Sequence, residues 1–307
     1  MNKQENLLNI HLFDLEFTNP VWTASGTFGY GEEYSQLFDL SVPGALVTKA
    51  ITLYPREGNP PPRVVETPSG MLNAIGLANV GVDGFIREKM PFLRQTGTRI
   101  IVNVAGATLD EYGEVVSKLS DVDGIAALEI NISCPNVKEG GMMFGSSPSQ
   151  AAAVTNRVRK STHLPVILKL SPNVTDIVAI ARACENEGAH GISLINTLLG
   201  MAVDVKSRKP ILANVTGGLS GPAIRPIALR MVFDVARAVK IPVIGIGGIS
   251  SVSDVLEFLI AGASVVQVGT AIFSQPLIHQ QIIEDLQYYF LHENIPSVND
   301  LIGSIEV

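Results

Sequence analysis

The chain has 307 residues, 46% of them hydrophobic and only 17% charged, with a formal net charge of −7. That composition excludes a disordered polar chain and suits an α/β protein with a buried parallel sheet. The acidic balance and the lack of any dense run of Lys or Arg argue against a nucleic acid or an anionic membrane as partner.

Met1 to Asn6 is polar and holds no apolar signal region. No apolar run approaches the ~18 residues of a membrane-spanning helix, so a soluble, cytoplasmic protein is expected. In residues 7–17, Leu8, Ile10, Leu12, Leu15 and Phe17 alternate around Asp14, which predicts a β-hairpin. Eight short apolar runs then predict strands at Val21–Ala24, Ala45–Ala50, Ile100–Val104, Ala127–Ile132, Val166–Leu170, Gly191–Ile195, Val243–Ile246 and Val265–Val268. Helical patterns separate them. After Thr175, for example, Ile177, Ile180, Ala181 and Cys184 fall on one helical face. Eight strand–helix units predict a (β/α)₈ TIM barrel in which residues 1–307 form a single domain, with a doubly wound sheet as the weaker alternative. The N-terminal hairpin is expected to cover the barrel's N-terminal end.

Three connections exceed a plain turn: Ile51–Gly81, the segment after Cys134 with Gly140, Gly141 and Gly145, and Leu198–Arg225. All come after C-terminal strand ends, where barrel active sites are built, so long βα loops over that face are expected to be functional. The strand ends collect polar residues: Ser25, Lys49, Asn103, Asn131, Lys169 and Asn196. One such Asn reads equally well as a turn or a cap. Six at equivalent barrel positions call for a polar ligand, because burying them unpaired is costly. Lys49 and Lys169 predict an anionic ligand or a cofactor that becomes anionic on reduction; a Schiff-base role for Lys169 is the competing reading.

Gly247-Gly248 comes after the seventh strand and Gly269-Thr270 after the eighth, the usual phosphate-binding loops of such barrels, with Gly217, Gly218 and Gly221 as possible additions. Ser250 stands where the last glycine of a dinucleotide fingerprint would be. None of the five histidines falls at a C-terminal strand end, and no His/Asp/Glu grouping has metal-ligand spacing, so no metal is expected. Cys134 comes after the fourth strand in Asn131-Ile132-Ser133-Cys134-Pro135-Asn136. A thiol with a reference pKa of about 8.5 can serve as a base near neutrality after modest tuning. Cys184, on an apolar helix face, reads as inert.

Asn131–Asn136 resembles the catalytic segment of class 1 dihydroorotate dehydrogenases, as do Arg56-Glu57-Gly58-Asn59-Pro60 and Asn73-Ala74-Ile75-Gly76-Leu77. The likeness runs from about Asn19 to Phe273. Ala24–Gly29, Pro60-Pro61-Pro62-Arg63, Gly140-Gly141 and Phe144-Gly145 are similar to the NAD-linked 1B branch. The resemblance implies oxidation of dihydroorotate to orotate in de novo pyrimidine biosynthesis, with FMN as cofactor. It implies FMN contacts at Ser25, Lys49, Ala50, Asn103, Asn131, Lys169, Ile195, Gly221, Gly247, Gly248, Gly269 and Thr270. Substrate contacts implied are Lys49, Asn73, Ala74, Ile75, Gly76, Leu77, Asn131, Asn136, Asn196 and Thr197.

On this reading Cys134 takes the carbon-5 proton, the flavin takes the carbon-6 hydride, and Lys169 answers the charge of the reduced ring. Two cysteines cannot hold an ordinary four-cysteine cluster and no complete dinucleotide fingerprint is present, so NAD linkage requires a relay in another chain. The resemblance implies a homodimer joined by two subunits carrying FAD and an iron–sulfur cluster, a heterotetramer. Fumarate-linked chemistry without a partner, a Lys169 Schiff-base lyase and a non-catalytic phosphate-ligand barrel are the alternatives.

Overall fold

The computed structural model describes residues 7–133 and 144–307. The chain opens with the antiparallel hairpin β1 (Ile10–Leu12) and β2 (Leu15–Phe17), in register Ile10↔Phe17. Its two-residue turn, Phe13-Asp14, has positive φ at both positions, the geometry that matches strand twist in tight hairpins. Phe13 lacks the glycine usual there. Its ring instead packs on Gly191 at the N-terminal edge of a barrel strand, where an added Cβ would come within 3.0 Å of it. The hairpin therefore sits at the N-terminal end of the barrel, as its pattern suggests.

The remaining strands are β3 (Val21–Thr23), β4 (Ala45–Val47), β5 (Val64–Thr67), β6 (Gly70–Asn73), β7 (Arg99–Val104), β8 (Ile125–Asn131), β9 (Val166–Lys169), β10 (Gly191–Leu194), β11 (Leu198–Met201), β12 (Val203–Asp204), β13 (Lys209–Pro210), β14 (Thr216–Ser220), β15 (Val243–Ile246) and β16 (Val265–Val268). Eight of them form one parallel sheet in the order β3-β16-β15-β10-β9-β8-β7-β4, the (β/α)₈ barrel expected from the alternating pattern. The seam between β3 and β4 is closed by Gly44 N donating to Val21 O at 3.0 Å. Thr23 completes it. Its buried hydroxyl accepts from Val47 N at 2.8 Å and donates to Val47 O at 3.4 Å, standing in for a ladder rung.

Helices pack outside the sheet. Leu109–Ser120, Pro148–Arg159, Ile177–Asn186 and Val252–Ile260 begin at Thr108, Ser147, Asp176 and Ser251, each of which caps its helix by accepting from a backbone N–H three residues on. Ile177, Ile180, Ala181 and Cys184 are buried as their spacing requires. Burial pushes the Cys184 thiol up to about 12, which keeps it unreactive. Among the described residues no helix is long and apolar enough to cross a membrane.

Two sequence expectations need correction. The run Ala45–Ala50 does not stay one strand. Its pairing with β7 breaks after Val47: the Thr48 hydroxyl accepts from Asn103 N, Lys49 N turns to Gly29 O, and pairing resumes at Ile51. The break frees Lys49 from the ladder. The connections Ile51–Gly81 and Leu198–Arg225 are not plain loops either. They supply β5, β6, β11 and β14 of one antiparallel four-stranded sheet, ordered β11-β14-β6-β5. In it Gly218 lies opposite Asn73.

His279, on the helix Ile278–His292, is fully buried against the rings of Phe28 and Phe38. Burial lowers its pKa from 6.5 to about 4. Between those values the unfolded chain takes up a proton that the folded chain refuses, so stability is full above pH 6.5 and falls toward pH 4 by about 3 kcal/mol. His279→Leu should flatten this dependence. Urea unfolding at pH 7 and pH 4.5 is expected to show a smaller acid loss in the variant than in the parent.

Candidate active site at the barrel mouth

The deepest polar layer of the site lies inside the barrel. Glu129, in the middle of β8, is wholly buried. Its two carboxylate oxygens accept from Asn103 Nδ2 of β7 and from Gln267 Nε2 of β16, both at 2.7 Å. Lys169, ending β9, places Nζ 3.6 Å from Glu129 Oε1 and donates to Ser25 Oγ at 2.9 Å. Four strands and the loop after β3 thus converge on one charge pair. An isolated buried charge of either sign costs several kcal/mol, so each residue offsets a cost that the other would carry alone. Sequence reading found Lys169, Asn103 and Ser25 but missed Glu129 and Gln267. The available signal was a carboxylate and an amide in apolar strand interiors, at Ala127-Leu128-Glu129-Ile130 and Val265-Val266-Gln267-Val268.

One layer nearer the C-terminal edge, Asn131 lies opposite Lys169 in the sheet register. Asn131 Oδ1 accepts from Ser133 N at 3.1 Å and from Asn196 Nδ2 at 3.5 Å. Tyr112, from the helix outside, donates to Asn131 O at 2.7 Å and fixes the strand end. Asn196 Oδ1 accepts from Thr197 N at 2.9 Å. Thr197 packs on Gly218 so closely that a Cβ there would come within 2.0 Å of its hydroxyl, and Gly218 O accepts from Asn73 Nδ2 at 3.3 Å. Asn73, Thr197, Asn196, Asn131 and Lys169 therefore form a continuous line from the antiparallel sheet into the barrel. Cys134 and Asn136 lie outside the described residues.

The segment Asn73–Leu77 leaves β6 under the control of two asparagines that sequence reading did not assign. Asn59 donates from Nδ2 to Ala74 O and from its backbone N–H to Ile75 O, both at 2.9 Å. Asn79 donates to Leu77 O at 2.8 Å, holding Leu77 at φ +58° beside Gly76 at φ +77°. Lys49 is half-buried and stands 5.6 Å over the Tyr30 ring. Burial lowers its pKa, and the nearby Arg63 lowers it further, while Glu33 opposes both. Lys49 and Arg63 place two cations on this side of the mouth, with Glu33 nearby.

The glycines divide into two groups. Gly248 has φ +74°, and a Cβ there would meet Gly221 O and Arg225 N at 2.9 Å. Gly247, at φ +130°, faces Ala228 and Ile195. Among the described residues the amides of Gly248 and Thr270 donate no hydrogen bond, while Thr270 Oγ1 donates to Ser220 Oγ at 2.7 Å. Close backbone approach and free amides fit the phosphate group of a mononucleotide. Gly217 and Gly218 do not belong to this cradle. They lie within β14, where Leu212, Asn73 and Thr197 exclude a side chain. The cradle is braced from outside by Arg225, which pairs with buried Asp254; Asp254 in turn accepts from Ser250 N at 2.8 Å.

The family profile described as dihydroorotate dehydrogenase matches residues 7–290. A Trichlorobacter lovleyi protein named dihydroorotate dehydrogenase B (NAD(+)), catalytic subunit, is 58% identical over 299 residues, covering 97% of this chain and 98% of its own length. Proteins of the same name from Geotalea daltonii and Desulforamulus reducens are each 56% identical, over 98% and 97% of this chain and 98% of their own lengths.

If the cradle holds a phosphate, Gly248→Ala should weaken binding of a mononucleotide probe such as flavin mononucleotide by about tenfold or more, because a Cβ there meets Arg225 N and Gly221 O at 2.9 Å and displaces the loop that presents the amides. Titration of apoprotein followed by flavin fluorescence measures this. An unchanged affinity would remove Gly248 from the phosphate site.

Proposed function

This chain belongs to the dihydroorotate dehydrogenase family, and on that premise we propose that it is the catalytic subunit of an NAD(+)-linked enzyme oxidising dihydroorotate to orotate for pyrimidine synthesis. The observation that carries the reading is the line of amides from Asn73 to Asn131 ending at the buried Lys169, beside a glycine cradle with free amides. The amides suit a flat ring bearing carbonyls and N–H groups. Lys49 and Arg63 suit its carboxylate.

FMN would be held by Ser25, Ala50, Asn103, Asn131, Lys169 and Ile195 around its ring, and by Gly221, Gly247, Gly248, Gly269 and Thr270 at its phosphate. When bound it supplies the hydride acceptor. The chain's own residues do the rest. Asn131, Asn196, Thr197, Asn136 and the segment Asn73–Leu77 orient the substrate for loss of its carbon-5 proton. Cys134 removes that proton as general base. Ser133, the residue before it in sequence, is anchored by its hydroxyl donating to Lys169 O at 3.3 Å, which ties the end of β8 to the strand that carries the cation. Lys169 is engaged as a donor to Ser25 and as the partner of Glu129, which suits charge stabilisation and not amine nucleophilic attack.

The need for a relay comes from the sequence. No complete dinucleotide fingerprint and no cluster-forming cysteine set occur in it. The catalytic unit is a homodimer that passes electrons to subunits carrying FAD and an iron–sulfur cluster, and through them to NAD(+).

Cys134→Ser should retain FMN and orotate binding but reduce its flavin at least a hundredfold more slowly near neutral pH, in line with the 10²–10⁴-fold usual for a general base. Anaerobic rapid mixing with dihydroorotate measures it, and unchanged rates would remove Cys134 from the role. The chain purified alone, once reduced by dihydroorotate, should not be reoxidised by NAD(+). Rapid reoxidation by NAD(+) without a partner, or turnover with fumarate, would contradict the relay.

A further inference from the structure

Glu129 is not among the groups that the proposed chemistry uses, yet it is wholly buried beneath the site. Both of its oxygens are fixed, one by Asn103 and the other by Gln267, at 2.7 Å each. That geometry orients the carboxylate so that Oε1 also faces Lys169 Nζ at 3.6 Å. The separation is too long for a strong hydrogen bond and short enough for strong Coulomb coupling in a dry interior. The Lys169 ammonium donates to Ser25 and keeps further donor capacity for the mouth.

We propose that Glu129 is a positioning residue for the flavin-side cation: it fixes Lys169 and cancels part of its charge, thereby setting the reduction potential of bound FMN. The inference rests on the flavin reading above. Transfer of a hydride carries two electrons and one proton from substrate to flavin, so the ring gains one unit of negative charge. A bare buried cation at the flavin site would favour the reduced form strongly and hold the electrons back from the next carrier. A cation balanced by Glu129 favours it less. Asn103 and Gln267 serve the same end by keeping the carboxylate from turning toward the mouth. A purely architectural Glu129 would affect folding and flavin content but leave the potential of correctly loaded protein where it was.

The test compares four FMN-loaded proteins: parent, Glu129→Gln, Lys169→Gln and the double variant. Each is reduced with dithionite against a reference dye. Glu129→Gln should shift the two-electron equilibrium toward reduced flavin by tenfold or more, a rise of about 30 mV. Lys169→Gln should shift it the other way, and the double variant should return toward the parent. If one single variant does not fold, the pair containing the other carries the comparison: parent against Glu129→Gln, or Lys169→Gln against the double variant, with the higher potential expected in the second member of each pair. Equal potentials within either pair overturn the inference while leaving the flavin reading intact. A parent that takes up no FMN overturns both.

Discussion

The site is organised around a charge pair that the barrel cannot avoid satisfying. Lys169 and Glu129 enter the interior on adjacent strands, and each is costly there without the other. Their side chains draw in Asn103, Gln267 and Ser25, so five segments that are distant in sequence are held in one arrangement. The cation faces the end of the barrel where the strands stop and the long connections begin. A buried pair of this kind is weak evidence for stability, but it specifies geometry well, because a shift in any one strand would leave a charge or an amide unpaired.

Above that pair, two connections separated by more than a hundred residues build a single antiparallel sheet over the mouth. Its close contacts depend on small residues. Gly218 admits the Thr197 side chain, and Gly76 lies against Asn59. The sheet thereby gives Asn73–Leu77 a fixed frame in place of a free loop. Substrate recognition and charge stabilisation then rest on two differently built layers, an antiparallel cap and the barrel ends, joined through Asn196 and Asn131.

The barrel was legible because buried parallel strands are continuous apolar runs, and all eight appear near where the runs fall. The hairpin was legible from alternation alone. What escaped sequence reading has physical causes. Glu129 and Gln267 are polar residues inside apolar runs, which is a signal in itself, but nothing local names the partners they meet on other strands. The pairing of β6 with β14 is long-range and leaves no local pattern. Gly217 and Gly218 looked like phosphate-loop residues because a glycine demanded by a neighbour's side chain cannot be told from one demanded by a ligand. The polar strand ends, by contrast, were recognisable as a set, since their number at one barrel end exceeded what turns and caps require.

On this reading the chain by itself moves electrons from dihydroorotate to a flavin at the barrel mouth. The most direct measurement is the visible spectrum of the purified protein during anaerobic addition of dihydroorotate, with orotate formation followed in parallel. The purified protein should carry a bound flavin whose oxidised band bleaches in proportion to added substrate, with one orotate formed per flavin reduced. A colourless protein unable to take up FMN, or a flavoprotein whose band is unmoved by dihydroorotate, would contradict it.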